Sequence, residues 1–468
     1  MRIRFLCCLL AAACVARAEP PPKCQLDCEP EPVLTAPALV RAALLSGPGY
    51  RVVPEVRIRG YMADFLIDTK FGPLRADSAE LLAVRISEIP AMDALDRASR
   101  TDAFSHAIAE RGRKTGTAIL HVVEHPIDTI TGLPAGVGRY LSHEWTNITG
   151  NAQALSDRST KEFENKGDPF HAPPGPMTAN RDEPLDETNI PDKKSRAWYA
   201  RAGAETERET KRYLKYSAEK KDMAKLLNVD PNSTNPILND KLDELAWAAV
   251  WGNFSAGAAL GTVTTATADA ITWTGRLNQY VLEKTPEDLR EENRTRLVKF
   301  CSDDFAVRQF LRRGGFTDTL RTALAQSFEK LKPESGCNEL IELAATTRGE
   351  VEARYLTDAL KMIQRRAVPG EGKLIVIDAA LAWQSADGKI LLPLPVDYLT
   401  WSHDIGTFFD QSFFRTSNRT VLIGGDASPL AQRKLTDRGW NIELRAPYDG
   451  APTYASAGEF ETRENSSR

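Results

Sequence analysis

The stretch that most constrains this chain runs from Leu245 to Ala268 and reads LAWAAVWGNFSAGAALGTVTTATA. It has no charged side chain between Glu244 and Asp269, although 26% of the whole chain is charged. A bilayer span needs about 20 apolar residues, so the length would serve. The composition would not. Leu245, Val250, Phe254, Leu260 and Val263 together favour insertion by about 2 kcal/mol. Against them stand Asn253, Ser255 and several threonines, each needing a hydrogen-bond partner in hydrocarbon. Trp247, Val250, Trp251, Phe254, Ala258 and Gly261 recur at helical spacing, the pattern of a helix packed on one face. Gly257 and Gly261 form a small-x-x-x-small pair that lets a second helix approach. The expectation is a buried core helix. Reversible membrane contact through Trp247, Trp251, Phe254, Gly257 and Gly261 is the alternative.

The amino terminus has its own pattern. Arg2 and Arg4, the apolar run Phe5 to Val15, and Ala16-Arg17-Ala18 before Glu19 read as a secretory signal peptide over 1–18 with a small-x-small cleavage site. Losing Arg2, Arg4 and Arg17 takes the formal charge from −4 to −7, an acidic balance that argues against nucleic-acid partners. Three of the seven cysteines leave with the signal, and Cys24, Cys28, Cys301 and Cys337 remain. An even number in an oxidising compartment implies disulfides. Cys301 is expected to pair with Cys337, closing a loop for about 3 kcal/mol. Cys24 and Cys28 lie in a proline-rich leader and have the option of pairing locally. The setting expected is periplasmic, outer-membrane peripheral or extracellular.

At 468 residues the chain has room for two or three domains. Residues 19–33 read as a flexible leader. In 34–156, Ala36 to Leu45 reads as a short helix. Arg51 to Ala76 alternates as a β-meander that buries Val56, Ile58, Phe65 and Ile67. Asp77 to Arg113 is helical in period and interrupted at Pro90. Residues 157–194 are polar and proline-rich, a disordered insertion. Residues 195–368 form a helical core, with Asn235-Pro236 leading into the central helix and Thr285-Pro286 starting another. Over 369–447 the pattern changes. Leu374 to Ile377 and Lys389 to Leu394 are strands, with Ala386-Asp387-Gly388 as a hairpin turn. Thr420 to Ile423, a helix from Ser428-Pro429 to Gly439, and Trp440 to Leu444 then make strand, helix, strand with a parallel pair. Residues 448–468 read as a disordered tail. The fold class expected is α+β, a mainly helical body with an N-terminal β-meander and a small C-terminal α/β module.

Three groups of residues also carry a likeness. Pro126-Ile-Asp-Thr-Ile-Thr-Gly132-Leu-Pro134-Ala-Gly136-Val-Gly138-Arg139 is the first. Leu227-Asn-Val-Asp230-Pro231 with Asn235-Pro236 is the second, and Pro395-Val-Asp397-Tyr398 with Ser428-Pro429 the third. From about Tyr50 to Leu444 the chain resembles an uncharacterised family of secreted proteobacterial proteins. The resemblance implies a bacterial, exported setting and no activity. It also implies that Asn-x-Ser/Thr sequons such as Asn147 and Asn293 are incidental.

No motif specifies a reaction. His121-Val-Val-Glu124-His125 matches the H-x-x-E-H pattern in which two histidines bind zinc and the glutamate deprotonates zinc-bound water. Pro126 directly after His125 ends or bends the helix that this geometry requires. Asp378 and Asp426 follow predicted strands, and carboxylates at strand ends are where α/β folds place ligands. A turn and a helix cap explain both and are the favoured reading. His403-Asp404 and Asp397-Tyr398, in a segment with Trp401, Phe408 and Phe409, read as core packing. The function expected is a binding or structural role in the envelope or outside the cell. Its partner would be a membrane surface or an envelope protein, and no cofactor is implied. A zinc hydrolase and a small-ligand module in the α/β part are the alternatives.

Overall fold

The computed structural model describes residues 28–115, 137, 141, 215–251, 260, 274–312, 316–347, 349–377, 379–415 and 418–455. Alternation between apolar and charged residues builds the first sheet. Val33–Thr35 (β1) leads into a single turn, Ala36–Leu39 (α1). Ser46–Gly47 (β2), Tyr50–Val52 (β3), Glu55–Arg59 (β4), Met62–Thr69 (β5) and Gly72–Ala76 (β6) follow. Every pairing is antiparallel, in the order β1-β4-β5-β3-β2, with β6 also on β5. Val56, Ile58, Phe65 and Ile67 are buried on one face, as the alternation requires. The helix expected from Ala36 to Leu45 is broken instead: Val40 is extended and bridges Tyr454. A tertiary strand contact overrides local helical preference there.

Ala79–Ser99 (α2) starts at a Ser78 cap, whose hydroxyl accepts the Leu81 amide at 3.0 Å. It runs straight through Pro90, where an interruption was expected. Burial of Ile86, Ile89, Ala91 and Met92 on either side offsets the missing hydrogen bond. Asp102–Thr115 (α3) follows. Pro236–Trp251 (α4) begins where Asn235 Oδ1 accepts the amides of Ile237 and Leu238. Leu238, Leu242, Leu245, Ala246, Ala248 and Ala249 are buried in one core with the sheet and α2.

Thr274–Glu283 (α5), Pro286–Leu297 (α6), Asp304–Arg312 (α7), Asp318–Leu331 (α8), Cys337–Ala345 (α9) and Glu350–Gln364 (α10) make the helical body. Thr285 caps α6 with Pro286 in its first turn, as its sequence predicts. Cys301 and Cys337 form a disulfide, with Cα atoms 5.0 Å apart, and Cys28 is disulfide-bonded too.

Gly372–Ile377 (β7), Ala380–Ser385 (β8), Ile390–Leu394 (β9), Tyr398–Leu399 (β10), His403–Phe409 (α11), Arg419–Ile423 (β11), Asp426–Ala427 (β12), Pro429–Asp437 (α12) and Asn441–Glu443 (β13) complete the chain. The second sheet is ordered β13-β11-β9-β8-β7. Its β9, β11 and β13 are parallel and the hairpins β7-β8-β9 antiparallel, while β10 and β12 pair separately. The parallel pair across α12 is the one expected. Strand β8 was missed because Ala380 to Trp383 are buried on both faces and show no alternation.

The protein is thus α+β, with a meander, a helical body and an α/β sheet. Its cores cut across the divisions expected at 195 and 369. Helix α4 belongs to the meander core, whereas α6 to α10 share a core with the second sheet. Tyr61 and Met62, at the tip of the β4-β5 hairpin, pack in that second core. The leader is not free from Cys28 onward: the Pro32 carbonyl accepts the Ile58 amide at 3.0 Å, and β1 follows. Nor is the tail free up to Ala455, because Tyr448 and Ala455 are buried.

Candidate functional site

Charged groups gather where the amino end of α2, helix α10 and the loop after β9 meet. Arg354 reaches Glu80 at 2.6 Å, and its Nε donates to Glu350 at 2.9 Å. Arg85 lies 3.2 Å from Glu88 and 3.4 Å from Glu350, while Asn235 donates to Glu88 at 2.9 Å. Lys361 pairs with Asp358 at 2.6 Å. Burial pushes the Glu350 carboxyl upward, but Arg354, Arg85 and the Thr234 hydroxyl outweigh it and hold it at about 2. Burial and the neighbouring Glu80 carboxylate push the Asp358 carboxyl up despite Lys361. Burial pushes the Glu80 carboxyl upward, but Arg354, Lys361 and Asp358 outweigh it and hold it below the usual range, so the neighbouring Glu80 and Asp358 carboxyl groups titrate as a pair.

Asp397 is the hub of this centre. Its Oδ2 accepts the amides of Ala63 at 2.9 Å and Ala79 at 3.1 Å, and its Oδ1 accepts the Tyr454 hydroxyl at 2.9 Å. Burial raises the carboxyl to about 6 against those three donors. One side chain therefore ties β5, the first turn of α2 and the carboxyl-terminal segment to the loop after β9. Ser78, Glu80, Arg354, Asp358, Asp397 and Tyr454 line a crevice with room for about one water molecule. Two neighbouring carboxyl groups in a crevice are acid–base equipment in principle. Here Tyr448 and Tyr454 cover it and its charges are paired with one another, which is the arrangement of a joint.

A second cluster is more open. The parallel strands β9, β11 and β13 end together, and their carboxyl ends lead into Pro395-Val396-Asp397, Gly424-Gly425-Asp426 and Leu444-Arg445. Gly425 is required there: a Cβ on it would sit 2.0 Å from the Asp397 carbonyl oxygen. That approach lets the Gly425 amide bond the Val396 carbonyl at 2.7 Å and the Asp426 amide bond Asp397 at 3.1 Å. Asp426 is paired with Arg445 at 2.7 Å, both about one-third exposed. Burial, with the Glu29 and Asp426 carboxylates nearby, pushes the Tyr398 phenol upward. Ser428 caps α12 by accepting the Ala431 amide at 2.9 Å. Its hydroxyl donates to Glu29, whose same oxygen accepts the Trp401 amide at 2.8 Å.

Asp426 therefore stands at a strand end, as its position in sequence suggested, and the turn and cap expected around Gly424-Gly425 are both present. Trp401, Phe408 and Phe409 are buried as expected, in an aromatic cluster with Phe414 and Trp440, whereas His403 and Asp404, also read as core packing, are exposed at the start of α11. Trp247 stacks on Tyr216, with ring centres 4.6 Å apart. Trp251 ends α4, and its side chain lies outside the described residues. His121, Glu124, His125, Phe254, Gly257, Gly261 and Asp378 also lie outside them. Among the described residues no group of three or more His, Cys, Asp or Glu is placed to hold a metal ion, and no helix is long and apolar enough to cross a membrane. Asn293 is buried and donates to Thr322 at 3.0 Å, so that sequon has no room for a glycan. Sequence reading missed Glu29, because a leader of prolines and charges carries no packing signal. It also missed the joint, whose members lie hundreds of residues apart. No protein-family model, curated protein or solved structure matches this chain.

Proposed function

We propose that this is an exported protein with a binding rather than a catalytic role, and that its ligand site lies at the carboxyl ends of β9, β11 and β13. One observation carries the reading. The Asp426–Arg445 pair, Tyr398 and Ser428 converge at the open end of a parallel sheet, where α/β folds bind ligands. The charges of the buried joint, by contrast, are consumed in holding segments together. Export is supported by the basic and apolar amino terminus, by the Cys301–Cys337 disulfide and by the resemblance to secreted proteobacterial proteins. Peripheral membrane contact is carried no further, because the described third of the 245–268 stretch turns Leu245, Ala246, Ala248 and Ala249 inward.

Thermal unfolding of the purified mature chain, screened against small carboxylates, phosphates, sugars and amino acids, tests the reading. A ligand should raise the midpoint of the parent and raise that of Asp426→Ala much less. The reading fails if every compound acts equally on both proteins.

A further inference from the structure

We infer that the pocket formed by the Trp401 amide and the Ser428 hydroxyl is a carboxylate-binding subsite, occupied in this state by the chain's own Glu29. The inference rests on the strand-end reading and names the chemistry that one part of that site recognises.

The first observation is position. The amino end of α12 and the carboxyl ends of β9 and β11 meet here, and oriented N–H groups at such a place favour an anion. Position alone would not make a site. The second observation is that a carboxylate is seated in it. Glu29 Oε1 accepts both the Trp401 N–H, at 2.8 Å, and the Ser428 hydroxyl. The pocket is also built to receive it. Ser428 and Trp401 are buried, and Ser428 Oγ already accepts the Ala431 N–H. One of its two lone pairs is therefore engaged, and its proton is directed at the guest. A hydroxyl proton and an amide proton converging on one oxygen suit a carboxylate and would be unsatisfied by a cation.

Glu29 is bound as a residue and not only as a charge. Its own N–H donates to the Trp401 carbonyl at 2.9 Å, so Trp401 both gives to and takes from it. Two residues on, Glu31 Oε1 accepts the Gly60 amide at 2.5 Å. The arm reads Glu29-Pro30-Glu31-Pro32 and brings no large apolar side chain to bury, so it is held mainly by hydrogen bonds that its carboxylates accept and by those of its main chain. Such an arm is displaceable by another carboxylate, whether a free small acid or an acidic extended peptide. While seated, it competes with any such ligand at high effective concentration.

The test uses the mature chain, its Glu29→Ala variant, and sodium acetate as the probe, with sodium chloride at matched ionic strength as control. Folding of each variant is checked by circular dichroism. Glu29→Ala should unfold at a lower temperature than the parent. Acetate should raise its midpoint along a saturating curve that chloride does not reproduce and that the parent, already occupied, does not show. Adding Ser428→Ala should abolish the saturating part, whereas adding Ser428→Thr, which keeps a hydroxyl, should retain it. A synthetic Glu-Pro-Glu-Pro peptide then distinguishes the sources. Saturation at tenfold lower concentration than acetate assigns the subsite to acidic peptides, and equal concentrations assign it to free carboxylates. The inference is overturned if acetate acts alike on parent and Glu29→Ala, or if its effect survives Ser428→Ala. A ligand whose stabilisation depends on Asp426 but not on Ser428 would overturn the subsite and leave the wider strand-end reading standing.

Discussion

The carboxylate of Asp397 accepts the main-chain amide of Ala79 at 3.1 Å, across 318 residues of sequence. Ala79 is the first residue of α2, so an orphan donor at a helix start is satisfied by a loop of the other sheet. The same oxygen takes the Ala63 amide, and the other takes the Tyr454 hydroxyl. Two buried amides and one half-buried hydroxyl thus depend on one side chain.

Asp397→Ala leaves all three donors without an acceptor and should cost about 3 kcal/mol, read as a lower urea midpoint with an unchanged slope. Asp397→Asn should cost under about 1 kcal/mol, since its oxygen can serve the two amides while its NH₂ group donates to a reoriented Tyr454 hydroxyl. Equal losses in the two variants would refute this account of the hub.

The pH dependence follows from the same group. Burial raises Asp397 and Asp230 from 3.8 to about 6 each, so the folded chain holds those protons more tightly than the unfolded chain. Their stabilising contribution is fully present below pH 3.8 and lost as pH rises through about 6, up to about 3 kcal/mol per group. Glu350 acts oppositely: held at about 2, it contributes stability that is lost as pH falls from 4.5 toward 2. Denaturant midpoints should therefore rise from pH 8 to pH 5 and fall below pH 4, with the first rise reduced in Asp397→Asn. A steady decline from pH 8 downward would contradict it.

Arg354 is the shared cation of Glu80 and Glu350. Arg354→Met leaves Glu80 without its ion-pair partner and Glu350 with Arg85 as its remaining cation, and should destabilise by about 3 to 5 kcal/mol. Adding Glu80→Gln and Glu350→Gln removes the uncompensated charge. Recovery of at least half the loss in the triple variant is the expected result of urea unfolding, and no recovery would assign the effect to packing.

The Cys301–Cys337 disulfide ties the loop before α7 to the first turn of α9. Replacing both by serine should cost about 3 kcal/mol through the loop it closes. The double variant is the cleaner comparison, because a reductant would also open the disulfide at Cys28. An unchanged midpoint would show that the helical body restricts this loop without it.

By itself the sequence determined the elements whose cause is local. Alternation at Val56 to Ile67 made a half-buried sheet, Thr285-Pro286 and Ser428-Pro429 started helices, and Asp387-Gly388 turned a hairpin. The spacing of strand, helix and strand after Arg419 implied the parallel pair, and cysteine parity implied the Cys301–Cys337 bond. Tertiary structure alone decided the rest. It held Val40 extended against Tyr454, carried α2 through Pro90 by burial, and buried β8 on both faces so that no periodicity marked it. It also brought Glu29 onto Trp401 and Ser428, and Glu80 beside Asp358. The physical reason is the same in each case. Capping, turns and alternation depend on neighbours within a few residues, whereas burial, paired charges and borrowed hydrogen-bond acceptors exist only after distant segments have met.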